Sequence, residues 1–185
     1  MIALAILLFV GNNGLFTVDA SAATNYSVAV PREALRTYVD DIGLFARNMP
    51  GVVAVRPLGD GKFLYQTEKD IPFSPALKTD FLIIKESVGD SLTIYRSMSD
   101  DDPNYMLCQV LIRPQDTVNT AIEIRLRVRL SRENASEVHW LAPILGESFI
   151  SRQMTKDMEQ MLQEFVEKSN EELYSHLKPP SLSRQ

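Results

Sequence analysis

The sequence predicts a single α+β domain in which a curved antiparallel sheet of about seven strands wraps around a long C-terminal helix. Two observations predict this fold class. From residue 52 onward, short segments that alternate apolar and polar residues are separated by Gly, Pro and Asp. From Gly146 to Leu177 there is no proline and no further glycine, and apolar residues recur every three or four positions. A helix that follows a run of strands is expected to cover the apolar face of the sheet.

The elements before this run are a strand and two short helices. Asn25 to Val30 predicts the first strand, because alternate residues are apolar, and Pro31 ends it. Apolar residues at helical spacing then predict one helix from Arg32 and a second from Ile42. The sequence Met49-Pro50-Gly51-Val52 ends the second helix, because the residue before a proline avoids the α region and glycine allows a turn.

The strands of the central run are separated by turn sequences such as Gly59-Asp60-Gly61 and Gly89-Asp90. The clearest is Ala121 to Leu130, in which alternate apolar residues face one side and Glu and Arg residues face the other. One face of the sheet is therefore predicted to be buried and the other to face water. The predicted strands are Val52 to Leu58, Lys62 to Ile71, Lys78 to Ser87, Ser91 to Ser97, Tyr105 to Arg113, Ala121 to Leu130 and Glu137 to Leu141.

A helix of about 30 residues is roughly 45 Å long at 1.5 Å per residue, which is enough to cross the sheet. A curved sheet that closes on one such helix leaves a tapering space between them. We take this space as the candidate site.

The N-terminus predicts an export segment. Ile2 to Val10 is wholly apolar, and Ala20 and Ala22 place small residues where a signal peptidase requires them. The predicted domains are residues 1–22 as a signal peptide or N-terminal anchor, 23–178 as the folded domain and 179–185 as a disordered tail. The protein is accordingly expected to be exported or periplasmic, and possible membrane anchoring follows from the same segment. No Lys or Arg follows Met1, so a cytoplasmic or organellar protein with a mis-assigned start, or a structural N-terminal extension, stays open as the alternative.

Composition excludes several classes of function. A net charge of -5 and a pI near 5.1 argue against a nucleic-acid-binding surface, which requires clustered Lys and Arg. Cys108 is the only cysteine, and His139 and His176 are the only histidines. A disulfide within the chain is excluded, and neither a metal site nor a cofactor is predicted.

Two stretches of sequence resemble a known family. The first is VPREALRTYVDDIGLFARNMPGV at Val30 to Val52, and the second is SEVHWLAPILG at Ser136 to Gly146, followed by a long helix with a central Phe165. Together they resemble the START-like superfamily, also called SRPBCC, helix-grip or Bet v 1-like. Its nearest branches are the polyketide cyclase and dehydrase family, the coenzyme Q-binding family and a family of carbon monoxide dehydrogenase subunits. The resemblance covers roughly Asn25 to Tyr174 and implies a cavity between sheet and helix. Because these branches share an architecture but differ in their pocket residues, the resemblance indicates the fold more specifically than the function.

The predicted ligand-binding residues combine flexible, aromatic and polar-tipped side chains. Methionine adapts to irregular apolar shapes, and Tyr or Trp offers one polar group inside an apolar cavity. The alternative for each methionine is ordinary core packing, and for each aromatic residue a half-buried structural role. The predicted set is Phe45, Met49, Tyr65, Tyr95, Trp140, Met154, Met158, Met161 and Phe165.

Other polar residues suggest weaker hypotheses. His139 could transfer protons near neutral pH, but no nucleophile or motif accompanies it, so no catalytic residue is predicted. Asp40 and Asp41 are expected to cap the helix that begins at Ile42. Three arginines on one strand face, Arg125, Arg127 and Arg129, are expected to form a solvated face with nearby acids, with an anionic membrane or partner surface as the alternative.

Three classes of function remain. The first is a binding or carrier protein for a lipid, quinone, isoprenoid or pigment-like molecule, and this class is favoured over an enzyme. The second is a polyketide cyclase or aromatase, which requires an acid/base pair facing into the cavity. The third is an interaction module of a membrane-associated complex, with its interior filled by its own side chains. The expected partner is a small hydrophobic ligand, with membrane-surface association possible, and the oligomeric state is not predicted.

Overall fold

The computed structural model describes residues 14–177, and in them it confirms the predicted α+β architecture. Seven antiparallel strands form one sheet, and a 31-residue helix closes it. The strands are β1 Phe16–Val28, β2 Val52–Gly59, β3 Lys62–Lys69, β4 Leu77–Val88, β5 Leu92–Ser97, β6 Asn104–Pro114 and β7 Thr120–Arg132. The helices are α1 Arg32–Asp40, α2 Ile42–Arg47, α3 Ala142–Leu145 and α4 Glu147–Leu177.

The sheet has the order β1-β7-β6-β5-β4-β3-β2, so only the pairing of β1 with β7 joins strands distant in sequence. Inward and outward residues alternate along β7: Ile122, Ile124, Leu126 and Leu130 are buried, whereas the arginines between them face outward. This confirms the predicted alternation of Ala121 to Leu130. The buried face of the sheet is the one that carries the core.

The first strand begins earlier than predicted. β1 starts at Phe16 rather than at Asn25, and all thirteen of its residues pair with β7. Val18, Ala20 and Ala22 are buried and alternate with exposed residues, which is the pattern of a half-buried strand. The same small residues also match the pattern of a signal-peptidase site, and for that reason residues 16–22 were predicted as part of the N-terminal segment. In the structure these residues belong to the sheet.

The last predicted strand, Glu137 to Leu141, is wrong. Ala135–Glu137 forms a 3₁₀ turn, and α3 follows directly. Only Val138 of this stretch is buried among the core residues, and Pro143 in the first turn of α3 has no backbone N–H to give to a strand partner. Without this segment, the first predicted strand and the six strands predicted between Val52 and Leu130 account for the seven strands of the sheet.

The long helix is continuous. α4 runs from Glu147 to Leu177 without interruption, which confirms the predicted helix. Gly146, with φ of 76°, separates it from α3, because this left-handed conformation suits glycine at a helix end.

The open edge of β1 lies against this helix. The backbone N–H of Thr17 donates to Glu147 Oε1 at 2.6 Å, and that of Asp19 donates to Ser151 Oγ at 3.1 Å. Two α4 side chains thus satisfy edge groups that would otherwise be free to pair with another strand.

Several predictions concern segments outside these elements. The apolar run Ile2 to Val10 and the tail 179–185 lie outside the described residues. Between residues 14 and 177, no helix is both long enough and apolar enough to cross a membrane.

Candidate functional site

A cavity of about 470 Å³ lies between α4 and the buried face of the sheet. This volume falls within the range of about 300–1,000 Å³ typical of small-molecule sites. It opens to solvent between α4 and the β3–β4 connection, where exposed residues form its mouth. Its lining comprises Ile42, Phe45, Met49, Pro50, Gly51, Val52, Tyr65, Thr67, Glu68, Lys69, Asp70, Leu77, Thr79, Phe81, Tyr95, Met106, Cys108, Leu126, Val128, Leu130, Met154, Asp157, Met158, Gln160, Met161 and Glu164.

The sheet wall is a row of inward-facing residues from neighbouring strands. Tyr65 on β3 lies opposite Phe81 on β4, and their rings meet edge to face with centroids 6.4 Å apart. Cys108 on β6 lies opposite both Tyr95 on β5 and Leu126 on β7. Because side chains two apart on a strand share a face, the register of five strands brings these residues into one surface.

The helix wall is formed by Met154, Met158 and Met161, which are spaced at four and three residues and so share one face of α4. Met158 is 6% exposed, whereas Met154 and Met161 are half-buried at the mouth. The sequence predicted all three on the lining, and Met49 after α2 joins them.

An aromatic cluster closes the inner end of the cavity. Phe45 stacks on Tyr95 with ring centroids 6.1 Å apart, and meets Phe165 edge to face at 5.1 Å. Phe165 is fully buried behind Phe45 and does not line the cavity, contrary to prediction. Its position on α4, seven residues after Met158, places it on the same face of the helix but beyond the end of the cavity. Phe45 and Tyr95 do line it, as predicted.

The two tyrosine hydroxyls in the cavity wall differ. Tyr95 Oη donates to the Val39 carbonyl at 2.5 Å, so this group is occupied in holding α1 against the sheet. Tyr65 is 8% exposed, and no hydrogen bond from another described residue reaches its hydroxyl. Burial, with a smaller contribution from nearby Cys108, raises the pKa of Tyr65 above its ordinary value. Tyr65 therefore presents an uncharged hydroxyl, unpartnered within the described residues, deep in the cavity.

The third polar group in the deep wall is a thiol. Cys108 is a free cysteine, 4% exposed, and burial raises the pKa of its thiol to about 12. A thiol with this pKa is neutral at physiological pH and is a poor nucleophile, since the thiolate is the reactive form. It contributes to the cavity as a small apolar group.

The mouth carries charged residues. Lys69 at the end of β3 reaches across to α4, where its Nζ lies 2.7 Å from Asp157 Oδ2. Glu68 pairs with Lys78 at 3.5 Å, and Glu164 accepts a hydrogen bond from Gln160 at 3.0 Å. The sequence analysis did not predict these charged residues at the mouth. Their meeting depends on the distance between α4 and β3, which the sequence pattern does not specify.

Trp140 does not line the cavity, contrary to prediction. It is 47% exposed, and its indole Nε1 donates to the Pro72 carbonyl at 3.1 Å. Trp140 thereby fastens the β3–β4 connection beside the mouth. His139 stacks next to it with ring centroids 6.2 Å apart, and His139 Nδ1 accepts from the backbone N–H of Leu141 at 3.1 Å.

The sequence also missed most of the deep wall. Phe81, Met106, Cys108 and Leu126 all line the cavity. Their strands were predicted, and period-two alternation assigns each residue to a face. Their place in the cavity, however, follows from strand register and from the distance to α4, neither of which the pattern of one strand specifies.

The acidic residues at the junction of α1 and α2 have different roles. Asp41 caps α2, as predicted, by accepting from the backbone N–H groups of Gly43 at 2.9 Å and Leu44 at 3.1 Å. Asp40 does not cap the helix. Its carboxylate contacts Arg36 Nε at 2.7 Å and Lys85 Nζ at 3.1 Å, and accepts from Thr93 Oγ1 at 3.0 Å.

The outward-facing arginines of β7, Arg125, Arg127 and Arg129, have acidic residues nearby, as predicted. Arg127 lies 2.6 Å from Asp19, and Arg125 lies 2.6 Å from Glu123. Arg129 lies over the ring of Tyr105 with its Cζ 5.1 Å from the centroid.

Among the side chains that the structure describes, in residues 14–174, no group of three or more His, Cys, Asp or Glu is placed to hold a metal ion.

Comparison with known proteins identifies the fold. A solved structure from Deinococcus radiodurans matches with a TM-score of 0.59 at 14% identity, over 85% of this chain and all of that one. A START superfamily protein from Mycobacterium smegmatis matches with a TM-score of 0.57 at 13% identity, over 83% of this chain and 98% of that one. This chain has the START-like, helix-grip fold.

A third solved structure with the same fold is an aromatase/cyclase. The two-domain aromatase/cyclase of steffimycin biosynthesis matches with a TM-score of 0.51 at 14% identity, over 84% of this chain and 49% of that one. No protein-family model and no curated protein sequence matches the chain. At these identities the comparisons establish the fold and leave the ligand open.

Proposed function

We propose that this START-like protein binds or carries a small hydrophobic molecule in the cavity under α4. The observation that carries the proposal is the cavity itself: about 470 Å³ of unfilled space, lined mainly by aromatic residues, methionines and aliphatic residues. Burying apolar ligand surface contributes roughly 25 cal/mol per Å², so such a site needs few polar contacts. Close-packed protein interiors rarely hold voids of this size, which argues against an interaction module with a filled interior.

Electrostatics of the deep wall favour binding over catalysis. Burial raises the pKa of both Tyr65 and Cys108, so both groups are neutral near pH 7 and neither is a ready base. The carboxylates of the lining lie at the mouth, where Asp157 is paired with Lys69. A cyclase would require an acid/base pair reaching the bound chain, and for this reason the enzymatic alternative ranks second.

We further propose that the cavity exchanges its ligand with a lipid surface. Phe73, in the β3–β4 connection that borders the mouth, is 97% exposed, and Ile144 on α3, four residues after Trp140, is 80% exposed. Trp140 joins the two segments through its bond to Pro72. An apolar ligand resides in lipid rather than in water, and an aromatic and aliphatic rim beside its exit would contact that lipid.

Vesicle flotation tests this membrane contact. Wild type should float with phosphatidylcholine vesicles, and Ile144→Ser should float less, while Val118→Ser, a change of an exposed apolar residue away from the mouth, should leave flotation unchanged. Equal flotation of all three proteins would contradict the proposal.

Export of the protein stays a prediction. The position of β1 in the sheet argues against cleavage of a leader after Ala22. Removing residues 1–22 would delete seven of the thirteen residues that pair with β7. We therefore propose that Phe16–Ala22 remain in the mature protein. N-terminal sequencing of protein from the native host tests this, because a sequence that begins at Ala23 would contradict it.

Two measurements test the binding function. Native mass spectrometry of protein purified from its own host, followed by lipid extraction, should reveal a bound apolar molecule. Titration of delipidated protein with a fluorescent apolar probe should saturate at one equivalent. Absence of both a bound molecule and probe binding would contradict the proposal.

A pair of tryptophan substitutions on α4 then locates the ligand. Met158 lines the cavity, so Met158→Trp should fill empty space, weaken probe binding at least tenfold and change stability little. Leu162 is 1% exposed and does not line the cavity, so Leu162→Trp should overpack the interior and cost about 1–3 kcal/mol in the free energy of unfolding. If Met158→Trp destabilises the delipidated protein as much as Leu162→Trp does, the filled interaction module is favoured instead.

A further inference from the structure

The charges at the mouth of the cavity are unbalanced. Among the described residues, its lining contains four carboxylates and one cation: Glu68, Asp70, Asp157, Glu164 and Lys69. Lys69 pairs with Asp157, and Lys78 pairs with Glu68 from outside the lining. No cation in the part of the chain that the structure describes pairs with Asp70 or Glu164. A molecule passing through this mouth meets a negative potential.

The deep wall of the cavity, as the described residues form it, offers no charge. Tyr65 is 8% exposed, and its hydroxyl makes no hydrogen bond to another described residue. Cys108 and Thr79 lie on the same buried wall and are also uncharged groups. An anionic head placed here would lose its hydration without gaining a cation, whereas a neutral oxygen could accept the hydrogen of Tyr65.

We infer that the cavity takes an uncharged apolar molecule that carries a carbonyl or hydroxyl oxygen, and that it rejects anionic amphiphiles such as free fatty acids. This inference rests on the proposed binding function. Tyr65 orients the ligand by hydrogen-bonding its oxygen, and the carboxylates of the mouth repel a negatively charged head whether it stays at the entrance or enters. The two features act at different depths and select for the same class of ligand.

Competition among ligands of one chain length tests the class. Delipidated protein loaded with a fluorescent apolar probe is titrated at pH 8 with 2-dodecanone, 1-dodecanol or dodecanoate. The ketone and the alcohol should displace the probe at concentrations at least tenfold lower than dodecanoate. Equal or stronger displacement by dodecanoate overturns the inference and leaves the binding function intact, whereas failure of the probe itself to bind rejects the binding function.

Substitutions test the Tyr65 hydroxyl and the carboxylates of the mouth separately. Tyr65→Phe should weaken displacement by 2-dodecanone about fivefold or more without weakening binding of the purely apolar probe, which leaves the hydroxyl unpaired in the wild type; retained probe binding also reports that the cavity is still folded. Asp70→Asn combined with Glu164→Gln should strengthen dodecanoate binding several-fold and leave 1-dodecanol unchanged. Glu171→Gln, on the exposed face of α4, is the matched control and should change neither. Unchanged dodecanoate binding in the double variant would overturn the role of the mouth, and unchanged ketone binding in Tyr65→Phe would overturn that of Tyr65.

Discussion

The two flanks of α4 meet the sheet differently. On the β1 flank the helix packs closely, and its Glu147 and Ser151 side chains bond to the edge of the strand. On the β3 flank it stands off, and the Lys69–Asp157 ion pair crosses the mouth of the cavity. The inward residues of β1 include the small Ala20 and Ala22, whereas β3 and β4 present Tyr65 and Phe81. The space under α4 therefore narrows toward β1, where small residues allow the helix to approach closely, and widens toward β3 and β4, whose rings line the cavity.

The largest expected effect is the loss of the closely packed flank. A variant that begins at Ala23 lacks Phe16–Ala22, and with them the buried Val18 and Ala20 and the bonds from β1 to Glu147 and Ser151. We expect it to show no cooperative thermal unfolding by circular dichroism. A variant that begins at Gly14 retains all of β1 and is the control. Wild-type stability in the shorter variant would show that the β1 flank does not hold the helix.

A smaller effect is expected when one side chain on that flank is enlarged. Ala20 is 2% exposed, so Ala20→Leu should overpack the space between β1 and α4 and lower the free energy of unfolding by about 1–3 kcal/mol. Met154→Phe, on the cavity flank, is the matched enlargement and should cost less than about 1 kcal/mol, because open space is available to the ring. Denaturant unfolding measures both. Equal losses would mean that the two flanks are equally packed.

The short helices that close the inner end are attached to the sheet through Asp40, and this attachment should depend on pH. Burial raises the pKa of Asp40, but hydrogen bonds from Arg36, Lys85 and Thr93 outweigh it and hold the pKa below its usual value. A carboxyl whose folded pKa is depressed stabilises the protein above its unfolded pKa of about 3.9, and this contribution is lost as pH falls through the folded value.

Asp40→Asn should therefore lower the free energy of unfolding by about 1–2 kcal/mol at pH 7. The difference from wild type should shrink as pH falls below about 4. Asp101→Asn, at an exposed carboxyl, is the control and should track wild type throughout. A difference that persists unchanged at low pH would mean that Asp40 acts by packing rather than by its charge.

The smallest effect is expected at the rim of the open flank. Phe73 has φ of 63°, a left-handed conformation that is strained for a bulky residue, and its side chain is 97% exposed. Phe73→Gly should remove this strain at no packing cost and leave stability unchanged or raise it by up to about 1 kcal/mol. Thermal unfolding measures the change. A clear loss of stability would show that the ring packs against the mouth.

The sequence by itself determined the elements and their order. Period-two alternation located β2 to β7, the spacing of apolar residues located α4, and the Pro-Gly turn after Met49 ended the short helices, because these signals are local. Seven of the nine predicted ligand-binding residues lie on the cavity, and the spacing along α4 placed Met154, Met158 and Met161 on one helix face. The predicted start of β1 was wrong because the small residues Ala20 and Ala22 fit two patterns. They match a cleavage site, and they also allow close contact between a strand and a helix.

Only the tertiary structure decided how deep the cavity is and what closes it. Phe165 lies on the predicted face of α4, but Phe45 stands between it and the cavity. Trp140 lies in the predicted region, but the β3–β4 connection draws its indole to Pro72 and away from the interior. The hydroxyls of Tyr65 and Tyr95 are equivalent in the sequence, yet one reaches the Val39 carbonyl and the other finds no partner among the described residues. Such differences depend on distances between elements remote along the chain, and the packing of α4 against β1 sets those distances.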